Sequence, residues 1–579
     1  MINKFINLNK SFFVIIFNVV NENFKSKKNY LFFILLTQFF ITFLETFSVF
    51  TLFPIILIID DKNSELGESS IGNFYQNLLE YFGIEINLIN FLIFISFLIL
   101  FKTILSIYIN SFRQKYVIRI VTEKREKFVN NLLSMSWGSF LKKKKGYYLN
   151  LLSEEASKIP FVINSGIGFF VSLISLTVYL CSSFYLAPDV TIISFFLGII
   201  LIIVFTPFLG KSKKTGIEQV VFKNSMINLL SSLLVSFKQI KISSNELFFK
   251  KIMKNNLWKL FQVQKKQVIN AVKLNNLYEP VTLIFFIMIF YYLSFKNYDL
   301  PMIILFLIIF SRLIKLVANT HRISNNFFIN YGSYNNFFQN LEEIKSFTGK
   351  RENLINHKFN GNIKFKNFTF KRKEKIILNK ANTTFRTGKF YIISGKTGQG
   401  KTSILDSLVG LTDYEENMIF IDDVDRKKIS SPFLRKQISY ISQDTFLFDG
   451  SILDNIIFGR KDVNKSKVEN FIGSLDSFQF IERFEKGLLS DVGSLGQKLS
   501  GGERQRINII RDLIIPKKII LLDEFTSALD SDTSKKIIHF IKSKYKNSLI
   551  ICVTHNPSLF KYADKVLIIE NANLKNKSK

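Results

Sequence analysis

A glycine-rich loop opens at Gly395 with the sequence Gly-Lys-Thr-Gly-Gln-Gly-Lys-Thr. It follows a strand-like run, Phe390–Ser394, and precedes a helical run, which is the context that a phosphate-binding loop requires. The glycines let backbone N–H groups and the helix N-terminus face phosphates. Lys401 supplies a cation for the β and γ phosphates, and Thr402 supplies a hydroxyl for Mg²⁺. The expected nucleotide contacts are Gly395, Lys396, Thr397, Gly398, Gln399, Gly400, Lys401, Thr402 and Ser403.

Two adjacent carboxylates end a strongly apolar run later in the chain. The run Ile519–Leu522 reads as a buried strand and is followed directly by Asp523 and Glu524. In nucleotide hydrolases such a strand end carries a Mg²⁺-coordinating Asp and a residue that orients water. We therefore predict that Asp523 holds the metal ion and that Glu524 activates the attacking water.

A third motif, Leu499-Ser-Gly-Gly-Glu-Arg-Gln-Arg506, lies before the helical run that leads to this strand. With it the chain resembles the ATP-binding cassette (ABC) transporter family, whose signature motif is LSGG. The resemblance implies that the chain hydrolyses ATP with Mg²⁺ as cofactor. It also implies roles for residues at matching positions: nucleotide contacts at Ser500, Gly501, Gly502, Glu503 and Asp530, a glutamine switch and metal ligand at Gln443, and a γ-phosphate contact at His555.

The family also places an aromatic residue near the start of this domain to stack on adenine. Two alignments are possible here, one with Phe370 and the other with Arg372 at that position. Either side chain can stack on a base, so the sequence leaves the choice open.

Length and composition require elements beyond an ATPase. The chain has 579 residues, more than one domain, with 48% hydrophobic residues and 64 Phe. A mean hydropathy of +0.20 favours a membrane part. The two cysteines, Cys181 and Cys552, are too few for a disulfide framework. The net charge of +32 fits a nucleic-acid partner, an anionic membrane or positive cytosolic loops.

Six apolar stretches in the first 320 residues approach the length of about 20 residues that a spanning helix needs. Residues 1–30, 113–160 and 210–279 together carry 29 Lys and Arg, whereas the remaining loops carry 2. The positive-inside rule then places both termini, the long loops and the ATPase in the cytosol. The charge therefore follows membrane topology, and we expect no nucleic-acid partner. The spans are predicted near 31–59, 88–112, 161–186, 190–209, 280–295 and 301–319.

The predicted fold is an α-helical six-span transmembrane domain plus an α/β P-loop NTPase domain of the ABC type with a helical subdomain. The expected boundaries are an interfacial segment at 1–30, the membrane domain at 31–345, a linker at 346–360 and the ATP-binding domain at 361–579. This order resembles an ABC half-exporter of a bacterial cytoplasmic membrane. Because one chain holds one set of motifs, the resemblance implies a dimer. A homodimer is the simplest assembly, and a heterodimer is the alternative.

The helical segments around the spans carry further predictions. The apolar run Phe12–Val20 is too short to span and reads as an interfacial helix rather than a signal peptide. By the resemblance, 146–155 and 231–241 match the coupling helices that transmit closure of the ATPases. An apolar stripe in the first outer loop predicts a surface helix that packs on the spans or dips into the membrane; it consists of Ile71, Phe74, Tyr75, Leu78, Leu79 and Phe82.

The cargo is predicted from weaker signals. Glu45-Thr46-Phe47, the outer-loop helix and Arg312-Leu313 resemble bacterial flippases for lipid-linked oligosaccharides. Charges within a span are costly, so Lys102, Arg312 and Lys315 are candidates to bind a lipid diphosphate. The alternative is that they lie at the inner boundary or pair structurally, with Glu45 as a partner. Rival functions are an exporter of lipopolysaccharide precursors, peptides or drugs and, remotely, an ABC ATPase without a transport role.

Overall fold

The computed structural model describes residues 2–59, 73–74, 77, 81, 87–186, 188–296, 300–347, 354–372, 375–396 and 398–576. Contacts divide it into two compact units, the first comprising 1–135 with 140–348 and the second containing 349–579. Most of the stripe predicted in the first outer loop and the phosphate-loop residue Thr397 lie outside the described residues.

The described part of the first unit is helical. The α-helices before residue 348 are α1 (Ile2–Phe24), α2 (Lys28–Phe50), α3 (Leu52–Ile59), α4 (Leu88–Ser134), α5 (Trp137–Phe140), α6 (Lys145–Asn150), α7 (Ile159–Leu186), α8 (Pro188–Val235), α9 (Phe237–Ile242), α10 (Glu246–Asn276), α11 (Tyr278–Phe295) and α12 (Leu300–Phe347). Residues 137–139 of α5 group with the second unit, and the other helices belong to the first. A π-helical turn, Leu151–Glu155, and a 3₁₀ turn, Ala156–Lys158, join α6 to α7.

Among the described residues, six helical stretches are long and apolar enough to cross a membrane, and one lies at each predicted span, which confirms the prediction. The helices are longer than the apolar runs. For example, α4 continues to Ser134 although its predicted span ends at 112, and α8 continues to Val235 although its predicted span ends at 209. The long basic loops are therefore helical continuations of the spans, as the scarcity of Gly and Pro within them predicts.

Helix α12 is the central packing element of the first unit. The aromatic side chains of Phe327, Phe328 and Phe337 on it are fully buried. The α1 helix reaches this core, because the rings of Phe12 and Phe328 lie 4.7 Å apart. The predicted interfacial run thus belongs to a longer helix, Ile2–Phe24, whose described apolar face is buried in the core.

Helices α8 and α12 approach closely at a pair of glycines. A Cβ atom on Gly216 would lie 2.5 Å from the carbonyl oxygen of Ile329, and one on Gly332 would lie 2.7 Å from the carbonyl oxygen of Gly216. Real Cβ contacts are not this short, and the atoms in the way are backbone. Glycine at both positions is therefore what lets the two helices touch.

We expect Gly216→Ala to force α8 and α12 apart and to lower the free energy of unfolding by about 1–3 kcal/mol. The measurement is the thermal unfolding midpoint of the purified protein. Gly198→Ala on the same helix is the matched control, because a Cβ there meets nothing within 4 Å. Equal midpoints for the two variants would contradict the close contact.

The second unit contains two sheets. A six-stranded sheet has the order β10-β9-β3-β8-β7-β6, in which only the β10 pair is antiparallel. A four-stranded antiparallel sheet has the order β2-β1-β4-β5. The strands are β1 (Asn362–Arg372), β2 (Lys375–Arg386), β3 (Phe390–Gly395), β4 (Ile419–Ile421), β5 (Val424–Asp425), β6 (Ile438–Ile441), β7 (Ile519–Asp523), β8 (Leu549–Val553), β9 (Lys565–Glu570) and β10 (Asn573–Asn576).

Five runs in the sequence of this unit read as strands. Four of them, at 390–394, 438–442, 519–523 and 549–553, lie in the parallel part of the six-stranded sheet, which also includes β9. The fifth, 418–421, belongs to the antiparallel sheet instead. The helices of this unit are α13 (Lys401–Val409), α14 (Ser431–Arg435), α15 (Ile452–Ile457), α16 (Lys465–Ile472), α17 (Gly501–Leu513) and α18 (Ser531–Lys544). Helices α15, α16 and α17 share one hydrophobic core with strands β6 and β7.

Candidate functional site

The phosphate loop joins β3 to α13, as its sequence predicts. Gly400 has a positive φ of 79°, and a Cβ there would overlap the Ile377 side chain. The Gln399 side chain closes the loop by accepting a hydrogen bond from the backbone N–H of Lys396 at 2.7 Å. A tight loop of this kind aims its backbone N–H groups toward one point, which suits an anionic ligand.

Lys401 lies at the centre of the loop. Its Nζ donates to the carbonyl oxygens of Gly395 and Lys396, both at 3.0 Å, and lies 2.7 Å from His555 Nε2. Burial lowers the pKa of Lys401, while the nearby Glu524 and Asp523 carboxylates act in the opposite direction. The ammonium is thus held over the loop where phosphates would bind.

The predicted metal ligands Thr402 and Asp523 are in contact. The Thr402 hydroxyl donates to Asp523 Oδ1 at 3.1 Å. Burial raises the pKa of Asp523 to about 6, although the Thr402 hydroxyl and the Lys401 ammonium favour its ionised form. These oxygens fit Mg²⁺, which prefers one or two protein oxygen ligands together with phosphates and water. A bound Mg²⁺ would supply positive charge to the phosphates and would stabilise the ionised carboxylate.

Glu524 brings the two predicted switch residues together. Its Oε2 accepts a hydrogen bond from Gln443 Nε2 at 2.9 Å, and its Oε1 lies 3.1 Å from His555 Nε2. Glu524 has a positive φ of 44°, a conformation that costs energy for a residue with a side chain. The strand end thus holds this carboxylate apart from the buried Asp523, beside the two residues expected to sense the γ phosphate.

Two partly buried residues near the metal ligand were not predicted. Tyr440 on β6 donates its hydroxyl to Asp406 Oδ1 at 3.0 Å, and the charge of Asp406 adds to the effect of burial on the pKa of Asp523. Burial likewise raises the pKa of both Tyr440 and Asp406. A signal was available, because Asp406 follows Thr402 by four residues and so lies on the same helical face.

The signature residues cap a helix. Ser500 Oγ accepts from the N–H of Glu503 at 3.3 Å, and Glu503 Oε2 accepts from the N–H of Ser500 at 2.8 Å, which is a capping box. Asp530 likewise caps α18 by accepting from the N–H of Thr533 at 2.9 Å. Hydrogen bonds from Thr533 hold the pKa of Asp530 below its ordinary value.

The signature residues remain separate from the phosphate-loop cluster. Among the described residues, no hydrogen bond or ion pair joins residues 500–503 to Lys401, Asp523, Glu524 or His555. Within the described chain the motifs therefore form two groups that share no hydrogen bond or ion pair.

Of the two candidates for adenine stacking, only Phe370 is described with its side chain. Its ring is 7% exposed and packs in the core of the antiparallel sheet. The Arg372 side chain lies outside the described residues, so the choice between the two stays a prediction.

The charged residues predicted within the spans form a second cluster, in the first unit. Lys102 Nζ lies 2.8 Å from Glu45 Oε2, and Arg312 Nη1 lies 3.5 Å from Glu45 Oε1. Lys315 lines a cleft that Glu45 and Arg312 also line. The predicted structural partner Glu45 is therefore the residue that joins two of the three candidate cations.

We expect Lys401→Ala to weaken ATP binding, because it removes the cation that the loop holds beside its own carbonyl groups. The change should reach about tenfold or more in Kd, since charged hydrogen bonds contribute about 1.5–3 kcal/mol each. Fluorescent-nucleotide titration measures it. Lys389→Ala is the matched control, because Lys389 is an exposed lysine that precedes β3 and lies outside the loop. An unchanged Kd in Lys401→Ala would contradict the assignment of this side chain.

Known proteins match part of this chain in sequence. Residues 378–527 match the family model described as ABC transporter. The chain is 34% identical over 201 residues to the heterocyst differentiation ATP-binding protein HepA of Nostoc sp. strain PCC 7120, covering 35% of this chain and 33% of that protein. It is 30% identical over 214 residues to an ATP-dependent lipid A-core flippase of Francisella tularensis, covering 37% of this chain and 35% of the flippase. These alignments thus span about a third of each relative.

One solved structure is similar over nearly the whole chain. It is a bacterial Atm1-family ABC exporter with ATP bound, with a TM-score of 0.76, 17% identity and 95% coverage of both chains. At 17% identity this similarity establishes the fold and nothing about the activity. The chain therefore carries an ABC transporter ATPase domain behind six apolar helical stretches and has the fold of an ABC half-exporter.

Proposed function

We propose that the protein is an ATP-driven exporter or flippase that moves a lipid-linked oligosaccharide, or a similar polyprenyl-diphosphate glycolipid, across the bacterial cytoplasmic membrane. In this proposal the working unit is a homodimer, in which the residues 500–503 of one copy complete the phosphate-loop site of the other. The termini and the ATPase domains lie on the cytosolic side. A dimer would bring together the two groups of motifs.

The observation that supports the proposed cargo is a polar cleft between α2, α7 and α12. It has a volume of about 450 Å³, and Arg312, Lys315, Asn319 and Arg322 line it from α12. These residues follow one another at spacings of three and four, so they share one face of the helix. The cleft also contains Glu45, the only carboxylate among its described lining residues. Its cationic groups therefore outnumber its anionic group, as a diphosphate site requires.

Glu45 neutralises part of this positive charge. Its two carboxylate oxygens face Lys102 and Arg312, so an incoming diphosphate would compete with a carboxylate for the same donors. Lys315 and Arg322 line the cleft and make no ion pair within 4.0 Å among the described residues. The cleft thus offers uncommitted donors to a ligand rich in acceptor oxygens.

A second candidate cargo is a lipopolysaccharide precursor. The similarity to lipid A-core flippases favours it, but that similarity covers 37% of this chain, and the family-model match falls within the ATPase domain. The membrane spans, which contain the polar cleft, lie outside the family-model match, so this likeness is weak evidence about cargo. The six apolar stretches also argue against an ABC ATPase without a transport role.

The test is ATP hydrolysis by the purified protein in liposomes, with candidate cargoes added one at a time. We expect stimulation by polyprenyl-diphosphate glycans and a smaller response to lipopolysaccharide precursors with phosphates on the sugar. Stimulation by the precursors alone would replace the proposed cargo. Stimulation by neither, with intact basal hydrolysis, would exclude both cargoes while leaving the ATPase assignment in place.

A further inference from the structure

A second basic cleft lies between α8 and α10, and the proposed function does not use it. Four lysines, Lys211, Lys214, Lys266 and Lys273, line a cavity of about 340 Å³ together with Phe208, Thr215, Glu218, Ile269 and Asn270. On each helix the lysines stand three or seven residues apart, so each pair faces one side of its helix. Two helices thus present four cations to one space.

The lysines are not neutralised by the protein. All four are exposed, and within the described part of the chain none has a carboxylate within 4.0 Å. Glu218 is the only acidic residue among the described residues that line the cleft. The four like charges that line one cavity repel one another, so an anion that enters the cleft is attracted by all four.

The floor of the cleft is fixed by hydrogen bonds between the two helices. Asn270 Nδ2 donates to the Ser212 hydroxyl at 2.7 Å and to the Phe208 carbonyl at 2.9 Å. One turn away, Gln267 Nε2 donates to Gln219 Oε1 at 3.2 Å. The helices are therefore held at a set spacing, and the lysines stand on a fixed frame.

The same hydrogen bonds locate the cleft relative to the membrane. They place Asn270 level with Phe208 and Ser212, where the predicted fourth span ends at 209. The positive-inside rule assigns this end to the cytosolic face. The cleft therefore lies at the level of the inner-leaflet headgroups.

Apolar side chains surround the lysines at this level. Val268, Ile269 and Val272 on α10 are 62%, 42% and 50% exposed. The cleft itself includes the Phe208 ring, which lies 5.6 Å from Lys211 Nζ. A ligand that suits this surface has an anionic head for the lysines and apolar chains for the neighbouring side chains.

From these observations we propose that the cleft between α8 and α10 binds the phosphate headgroup of an anionic phospholipid of the cytosolic leaflet. The lysines hold the phosphate, and the exposed valines and isoleucine contact the acyl chains. Basic pockets on the cytosolic side of spanning helices suit anionic headgroups for this reason, because each nearby lysine adds attraction. The bound lipid would join the fourth and fifth spans at their inner ends.

The test measures lipid binding to the full-length, delipidated protein by native mass spectrometry. Dioleoylphosphatidylglycerol is compared with dioleoylphosphatidylcholine, which has the same chains and no net charge. The test variant replaces Lys211, Lys214, Lys266 and Lys273 with Gln. The matched control replaces Lys250, Lys251, Lys254 and Lys259 with Gln, which removes the same charge from exposed positions on α10 farther from the predicted boundary.

We expect phosphatidylglycerol to bind more tightly than phosphatidylcholine and the test variant to lose about tenfold or more of that affinity. The control variant should keep it. Equal affinity for the two lipids, or equal losses in the two variants, would overturn the proposal. Displacement of the lipid by an equal concentration of glycerol 3-phosphate would assign the cleft to a soluble phosphate compound instead.

A further measurement covers the possibility that a second copy of the chain occupies the cleft. The mass of each variant in detergent is measured by light scattering. A change of oligomeric state in the test variant, with unaltered lipid binding, would overturn the proposal and make the cleft a subunit interface. Single changes, Lys211→Gln and Lys273→Gln, should give graded losses in the lipid assay while the fold is retained.

Discussion

Glu524→Gln is expected to bind ATP with near-normal affinity. Its rate of ATP hydrolysis should fall by about a hundredfold or more, which is the typical effect of losing a general base. The amide keeps the size of the side chain but cannot accept a proton from water. Neither the Lys401 contacts with the loop nor the Thr402–Asp523 hydrogen bond involves Glu524. Binding and chemistry should therefore separate in this variant.

The measurement pairs a nucleotide titration with a phosphate-release assay. If two copies close over ATP, the variant should also accumulate as a nucleotide-bound dimer, which light scattering with and without ATP detects. Glu469→Gln is the matched control, because Glu469 is an exposed carboxylate on α16. Near-normal phosphate release by Glu524→Gln would remove Glu524 from its role.

The geometry of the candidate nucleotide site was largely predictable because its parts are local in sequence. The phosphate loop needs only a strand, a glycine-rich turn and a helix, and the carboxylates at 523 and 524 follow directly from one buried strand. What could not be predicted is that Gln443 and His555 meet on Glu524, since this contact depends on the order of β6, β7 and β8 in the sheet.

The failure to predict strand β1 has a physical explanation. Strand β1 alternates apolar and polar residues, but its register shifts between Phe365 and Phe368, which breaks the period of two on which recognition rests. The membrane cluster was harder still. Glu45 and Lys102 lie on α2 and α4, so their pairing follows from helix packing. By contrast, Asn319 and Arg322 continue the spacing of Arg312 and Lys315, and that signal was in the sequence.

Arg312→Ala is expected to reduce transport of a diphosphate lipid strongly while expression, thermal stability and basal ATP hydrolysis stay close to normal. The structure gives a reason for the intact fold. Glu45 keeps its closer partner, Lys102 at 2.8 Å, when the Arg312 contact at 3.5 Å is lost. The Arg312 side chain is also 49% exposed, so its removal leaves no buried cavity. Only a ligand in the cleft would lose a partner that nothing replaces.

The measurement is flipping of a labelled polyprenyl-diphosphate lipid in liposomes, with the unfolding midpoint determined on the same preparations. Arg119→Ala is the matched control, because Arg119 is 68% exposed and pairs with Glu123 on its own helix. It should change neither quantity.

Arg312→Lys adds a distinction that the alanine variant cannot make. Lysine keeps the charge but lacks the planar fork that grips two phosphate oxygens, so transport should recover only in part. If Arg312 instead anchors its helix, the alanine variant should lose stability and every activity in parallel. Normal flipping by Arg312→Ala would exclude the cleft as the diphosphate site. Transport would then not depend on the positive charge of the cleft, which would favour an uncharged cargo.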